Sequence, residues 1–353
     1  MRWLFLLVPV SFILGEIPNI SPALVFFISS LAIVPIAHLI AESTEQIALR
    51  TGEAIGGLLN ATFGNFPELI ISLVALRAGN TDLVSASIIG AILANLLLAQ
   101  GASFFVGGIK YHDQEYNPAS IRLYSSMMLV AVASLAIPSA FARGGEGADR
   151  IAAGVTLNLA ISVLLLLMYI LYLVFTLITH PQPIAAKISE ENESHEEGHW
   201  STKRSVLTLI AASVVAALLS EILVGSAEGA GHQLGMSQVF IGLICVAVVG
   251  GAAESLSAIT MASRNRMELS IGISLGSSIQ IALFVAPLLV ILSYFIAPRP
   301  FLLEFNPQLL AFFLLAVLLS AIVAGDGRSN WYKGLQLILL YVMLGVTLYL
   351  VPG

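Results

Sequence analysis

The chain has 353 residues, of which 58% are apolar and 10% are Asp, Glu, Lys or Arg, with a mean hydropathy of +0.95. A soluble domain carries about 25% charged residues, so this composition excludes one and describes an integral membrane protein. The formal charge of −6 comes mostly from a few loops and carries no nucleic-acid signature, and the single cysteine, Cys245, excludes an intramolecular disulfide.

A bilayer core of about 30 Å needs about 20 helical residues. Runs of that kind predict about eleven spans, with approximate limits 3–15, 22–49, 54–77, 82–108, 119–141, 151–179, 204–229, 236–263, 268–296, 305–325 and 331–351. The first is short and follows Arg2, but Gly15-Glu16-Ile17-Pro18 offers no A-x-A cleavage pattern, so it is read as a span and not a signal peptide. The one long polar linker, 181–203, is acidic and divides the later ten spans into five and five. The expected organisation is an N-terminal transmembrane helix (1–20), a first five-helix unit (21–180), the linker, and a second five-helix unit (204–353).

Placing the N-terminus in the cytoplasm puts Arg2, Arg50, Lys110, Arg122, Lys187, Lys203, Arg204, Arg264, Arg266, Arg328 and Lys333 on the cytoplasmic side. Only Arg77, Arg143, Arg150 and Arg299 then fall outside, the skew that membrane insertion favours. Trp3, Tyr111, Tyr116, Trp200, Trp331 and Tyr332 lie near the interfaces, as an aromatic belt does.

Sliding the chain by 186 residues superposes its halves without a gap from about 41 to 90, aligning Glu42 with Glu228, Gly64 with Gly250, Glu68 with Glu254 and Gly90 with Gly276. Five spans per half is an odd number, so the halves sit in opposite orientations. Inverted repeats with broken helices and a midplane site describe a secondary transporter.

Each half places one glutamate after a glycine-rich break, in Gly64-Asn65-Phe66-Pro67-Glu68 and in Gly250-Gly251-Ala252-Ala253-Glu254. A carboxylate at that depth is expensive and marks an ion or proton path. Gly64 and Gly250 let the helix unwind and expose carbonyls, tolerable in a membrane only where they line a cavity. With Asn65 beside Glu68, the set is all oxygen, which favours Ca²⁺, or Mn²⁺, over zinc or copper. Asn95 and Gln280 on the following helices fall on offset faces that border the same cavity, and Ser277 and Ser278 lie near enough to donate or coordinate, although small polar residues are also ordinary helix glue.

The run from Leu58 to Ile70, LLNATFGNFPELI, resembles the first repeat signature of the calcium/cation exchanger superfamily, most closely its cation/proton branch, the CAX-type Ca²⁺/H⁺ antiporters. The run Gly276–Pro287 is similar to the segment that follows the second signature. The resemblance implies an all-α membrane fold of two inverted repeats, with Glu68 and Glu254 as the paired ion-binding and proton-carrying residues and Asn95 and Gln280 as their polar partners. Charge counting gives a mechanism independent of the family name. The pair is neutral with one Ca²⁺ bound and neutral again with both carboxylates protonated, whereas the empty, doubly ionised pair holds two like charges in low dielectric. The expected function is export of Ca²⁺ in exchange for H⁺ by alternating access. A Na⁺/Ca²⁺ exchanger of the same superfamily and a cation channel are the alternatives.

Glu42 and Glu228 are candidates for a proton relay or gate, although each lies within reach of a helix end. His195-Glu196-Glu197-Gly198-His199 matches the zinc-peptidase pattern, but it sits in a polar linker with Glu190, Glu191 and Glu193 and lacks an obvious third ligand, so no enzyme is expected. No cofactor is implied beyond the transported ions. The expected partners are Ca²⁺, H⁺ and lipid, with no nucleic acid, homo-oligomerisation stays open, and the expected location is the cell membrane of a prokaryote.

Overall fold

The computed structural model describes residues 2–51, 58–59, 62–143, 148–180 and 200–350. Among them eight helices are long and apolar enough to cross a bilayer, and one further bent pair passes the same test as a unit. A 3₁₀ turn, Arg2–Leu6, leads into α1, Leu7–Glu16. This apolar stretch, Trp3–Glu16, is shorter than a full span and ends where Asn19 takes a left-handed φ of 65°. Then come α2 (Pro22–Thr51), α3 (Phe66–Arg77), α4 (Thr81–Tyr111), strand β1 (Asp113–Glu115), α5 (Pro118–Ala142) and α6 (Ala148–Val174). After the linker follow α7 (Thr202–Leu234), α8 (Gln238–Gly250), α9 (Ala252–Ser263), α10 (Met267–Ile296), α11 (Pro307–Ala324), strand β2 (Arg328–Asn330) and α12 (Trp331–Leu350). The first half of the expected span 54–77 lies mostly outside the described residues, and the linker histidines His195 and His199 lie outside them.

The helix ends follow from local chemistry. Asn117 and Asn306 accept hydrogen bonds from the N–H groups of Ala119 and Gln308, at 2.9 and 3.0 Å, and each stands before a proline that the first turn tolerates. Ser201 and Ser237 cap α7 and α8 in the same way, accepting from the N–H groups of Arg204 and Phe240. Gly235 ends α7 in the left-handed conformation, with φ 67°.

Three π-helical turns interrupt the long helices: Ala94–Ala99 in α4, Ile241–Val246 in α8 and Ile281–Val285 in α10. The turns in α4 and α10 recur at nearly the same 186-residue offset that aligns the glutamates.

α2 and α7 pack along most of their length and run antiparallel. At one end Gln233 Oε1 accepts from Ser21 Oγ at 2.8 Å and from the Ala23 N–H, and at the other Gln46 Oε1 accepts from the Trp200 N–H at 3.1 Å. α4 crosses α8 where Gly90 lies against the backbone of Leu243 and Gly242 against Ala86 and Leu83. These glycines bring two backbones closer than any side chain allows, while α9 packs on α10 and on the end of α4.

Candidate cation-binding site

Glu68 and Glu254 both stand in the first turn of their helices, α3 and α9. The exposed N–H groups of a helix start favour a negative charge there. The two turns are built alike, since the Leu69 N–H donates to the Asn65 carbonyl at 3.1 Å and the Ser255 N–H to the Gly251 carbonyl at 3.0 Å. Pro67 falls within the first two positions of α3, where its missing N–H leaves no bond unmade. α9 starts at a sharp break, because α8 and α9 meet at Gly251 with a bend of 57°.

Glu68 is buried, and neither of its carboxylate oxygens has a hydrogen-bond partner among the described residues. Glu254 is half-buried and its Oε2 is likewise unpartnered. Glu254 stands in the first turn after Gly251, and Gly251 itself lies beside Glu68 Oε1. Buried polar atoms in native structures are almost always paired, so unpartnered carboxylate oxygens point to a ligand.

The glycine break sits against this pair. A methyl group on Gly250 would stand 3.1 Å from Glu68 Cγ, and one on Gly251 would stand 3.6 Å from both Glu68 Oε1 and Asn95 Oδ1. Asn95 therefore presents its carbonyl oxygen toward the same place as Glu68. Its amide nitrogen donates to Ser277 Oγ at 3.0 Å, Ser277 donates to Asn65 Oδ1 at 2.7 Å, and Asn65 Nδ2 donates to Gln280 Oε1 at 2.5 Å. This chain links α4, α10 and the residue preceding α3. It fixes the Asn65 and Asn95 amide orientations, since each of those nitrogens faces an acceptor. A narrow cleft leads from Glu68 past Ser72 on α3, Ser87 and Ala91 on α4, and Ala247 and Gly250 on α8.

The structure thus brings together Glu68, Glu254, Asn65, Asn95, Gln280 and Gly250. Gly64 lies in the turn before α3, next to Asn65. Ser278 does not join that hydrogen-bonded chain: its hydroxyl donates back to the Ser274 carbonyl at 3.0 Å, and Ser277 takes the bridging position. Glu42 is half-buried, whereas Glu228 is exposed and stands 4.0 Å from His232 one turn on. Neither joins the hydrogen-bonded chain. No group of three or more His, Cys, Asp or Glu side chains able to hold a metal occurs among the described residues, so any cation here would rely on amide, hydroxyl and backbone oxygens beside the two carboxylates.

The family model for the sodium/calcium exchanger protein matches residues 21–178 and 204–350. The Ca(2+)/H(+) antiporter ChaA of Bacillus subtilis is 41% identical over 344 residues, 97% of this chain and 96% of that protein. The Ca(2+)/H(+) antiporter of Aphanothece halophytica is 36% identical, over 99% of this chain and 96% of that protein. The solved structure of native YfkE superposes with a TM-score of 0.84 at 38% identity, covering 99% of this chain and all of the other. A crystal structure of the H+/Ca2+ exchanger CAX shares the fold, with a TM-score of 0.71 at 16% identity over 100% of this chain and 88% of that one.

Proposed function

The chain belongs to the sodium/calcium exchanger protein family, and from that premise we propose that it is a secondary transporter exporting Ca²⁺, or a similar divalent cation, in exchange for H⁺. In this reading Glu68 and Glu254 form the shared site. The observation that carries it is the pair of glutamates at two helix starts, with Glu68 buried and unpartnered at both oxygens beside Asn95 Oδ1 and a glycine break. Ca²⁺ takes about six to eight oxygen ligands, and two carboxylates, Asn95 and backbone carbonyls are of that kind. Removing the cation leaves two like charges in low dielectric, so the empty site takes up two protons before it crosses. The names of the relatives, Ca²⁺/H⁺ antiporters over nearly their whole length, support the same ions.

Two units, 21–180 and 204–353, in opposite orientations make the site accessible in turn from either side. The separate stretches matched by the family model and the antiparallel α2–α7 pair support that division. The charge skew supports a cytoplasmic N-terminus in the cell membrane of a prokaryote, and the acidic linker then lies in the cytoplasm.

The test is ⁴⁵Ca²⁺ uptake by the purified protein in sealed vesicles, driven by a pH gradient or by a Na⁺ gradient. Proton-driven uptake that falls at least 100-fold in both Glu68→Gln and Glu254→Gln is the expected result. Uptake driven by Na⁺ alone moves the protein to Na⁺/Ca²⁺ exchange, and passive flux without either gradient makes it a channel.

A further inference from the structure

The helix that carries Glu254 is tied at its far end to the first half of the chain. α9 is cut off from α8 by the 57° bend at Gly251, so the preceding helix does not hold its direction. α9 leaves a face uncovered that α3 does not: Leu256 on α9 is 42% exposed, whereas Ile70, its match at the 186-residue offset, is 8% exposed. Yet three side chains from the end of α4 and from β1 grip its last turn. Gln114 Nε2 donates to the Ala262 carbonyl at 3.0 Å and to Asn265 Oδ1 at 2.9 Å. Lys110 Nζ and Tyr111 Oη both donate to the Ser263 carbonyl, at 2.8 and 3.1 Å. The carbonyls at a helix C-terminus are the ones the helix itself leaves unpaired, although Ala262 also accepts the Asn265 N–H here, and a cation there suits the helix dipole.

The grip is built in. Gln114 is 2% exposed and is held in β1, which pairs with β2. Its amide lies across Gly107 of α4, where any side chain would collide with it. α3 has no matching device, because Ile296, Ala297 and Pro300, the positions 186 residues on, at and just beyond the end of α10, carry no side-chain donor. Backbone donors close both helices, Ala78, Gly79 and Asn80 N–H groups on Val74, Leu76 and Ala75 at the end of α3, and Arg264, Asn265 and Arg266 N–H groups on Met261 and Ala262 at the end of α9, so the side-chain grip is an addition that α9 has and α3 lacks.

We propose that Gln114, assisted by Lys110 and Tyr111, is a positioning residue for Glu254, coupling α9 to α4 so that the second carboxylate keeps its place relative to Glu68 and Asn95. This rests on the reading of Glu68 and Glu254 as the cation site. The three residues from the Gly251 break to Glu254 span about 4.5 Å of helix, so once the clamp is lost a swing of about 10° about the break moves the carboxylate by about 0.8 Å. Metal–oxygen distances tolerate about 0.2 Å. Cation affinity is therefore sensitive to a contact well away from the cation.

The test compares Ca²⁺-dependent thermal stabilisation in detergent, and the Ca²⁺ dependence of uptake in vesicles, for the native chain, Gln114→Ala, Gln114→Glu and Tyr111→Phe. Outer contacts of a metal ligand are worth about 10- to 100-fold in affinity, so Gln114→Ala is expected to raise half-saturating Ca²⁺ at least about tenfold, with the maximal uptake rate held within about twofold. Gln114→Glu has the same shape but nothing to donate to the Ala262 carbonyl and fails alike, whereas Tyr111→Phe, which leaves the packing intact, shows a smaller shift of a few-fold. A merely structural clamp would lower the unfolding temperature without Ca²⁺ and leave half-saturation unmoved in all three variants, and that result overturns the proposal. Thermal stabilisation needs no coupling ion, so a native protein stabilised by Ca²⁺ but not driven by protons refutes the exchange reading while leaving the clamp open to this same comparison. A native protein that Ca²⁺ does not stabilise removes the site and the clamp together.

Discussion

Ser277 and Ser278 are neighbours in sequence with opposite fates. Ser277 bridges Asn65 and Asn95, while Ser278 turns back to its own helix. Replacing Ser277 by Ala leaves Asn65 Oδ1 and Asn95 Nδ2 without that partner, at a cost of about 1–3 kcal/mol each for a buried group left unpaired. Ser277→Ala is therefore expected to lower the unfolding temperature and slow uptake, whereas Ser278→Ala stays close to native in both; equal effects would refute the assignment. Gly250 gives the second residue-level prediction. A methyl group 3.1 Å from Glu68 Cγ pushes the carboxylate out of place, so Gly250→Ala should weaken Ca²⁺ affinity about tenfold in the same uptake assay, with little loss of folded protein. Glu68 and Glu254 were legible in the sequence because a charge in an apolar run has few innocent explanations. The choice between the two serines was not, since one residue along a helix turns the side chain by about 100° and only the neighbouring helices decide which direction matters.

Among the elements, α4 and α8 cross at close range. A Cβ on Gly90 would run into the Leu243 backbone, so Gly90→Ala forces the helices apart. Overpacking of this kind costs about 1–3 kcal/mol, which a thermal melt in detergent will register as a lower midpoint. At the start of α12, partial burial pushes the Asp326 carboxyl up, but the Lys333 ammonium and the Arg328 N–H together hold it below the usual aspartate range. A depressed carboxyl stabilises the fold above its unfolded pKa, and that contribution is lost as pH falls through the folded value. With the Asp326 side chain 57% exposed, the pair is worth about 0.2–1 kcal/mol at most, so Asp326→Asn should cost little at neutral pH and nothing in strong acid. The apolar runs marked out most of these helices in advance, and the Gly250-Gly251 pair marked the break. The π-helical turns and the β1–β2 pairing were not legible, because each depends on contacts between segments far apart in the chain.

At the scale of the whole molecule the two halves are not equivalent. Ile70 and Ile71 of α3 are buried, while Leu256 and Ser257, their matches on α9, are exposed. On the proposed orientation α9 runs from the break toward the cytoplasm, so a water-filled path along that face opens there. In a Cys245→Ala background, Ser257→Cys should then react with an impermeant maleimide from the cytoplasmic side and Ile71→Cys should resist it from either side; the reverse pattern would reverse the resting state. Exchange of one Ca²⁺ for two protons moves no net charge, so uptake is expected to ignore a clamped membrane potential. What the sequence determined by itself was the membrane class, most of the spans, the 186-residue correspondence and the two glutamates, because each follows from the cost of placing charge, glycine or polar backbone in hydrocarbon. What only the tertiary structure decided was which polar atoms meet: the Gln280–Asn65–Ser277–Asn95 chain, the unpartnered oxygens facing the glycine break, and the grip of Gln114 on the end of α9. Hydrogen bonds act over about 3 Å, and bringing residues some 150–215 positions apart to that distance is a property of packing, on which spacing along the chain is silent.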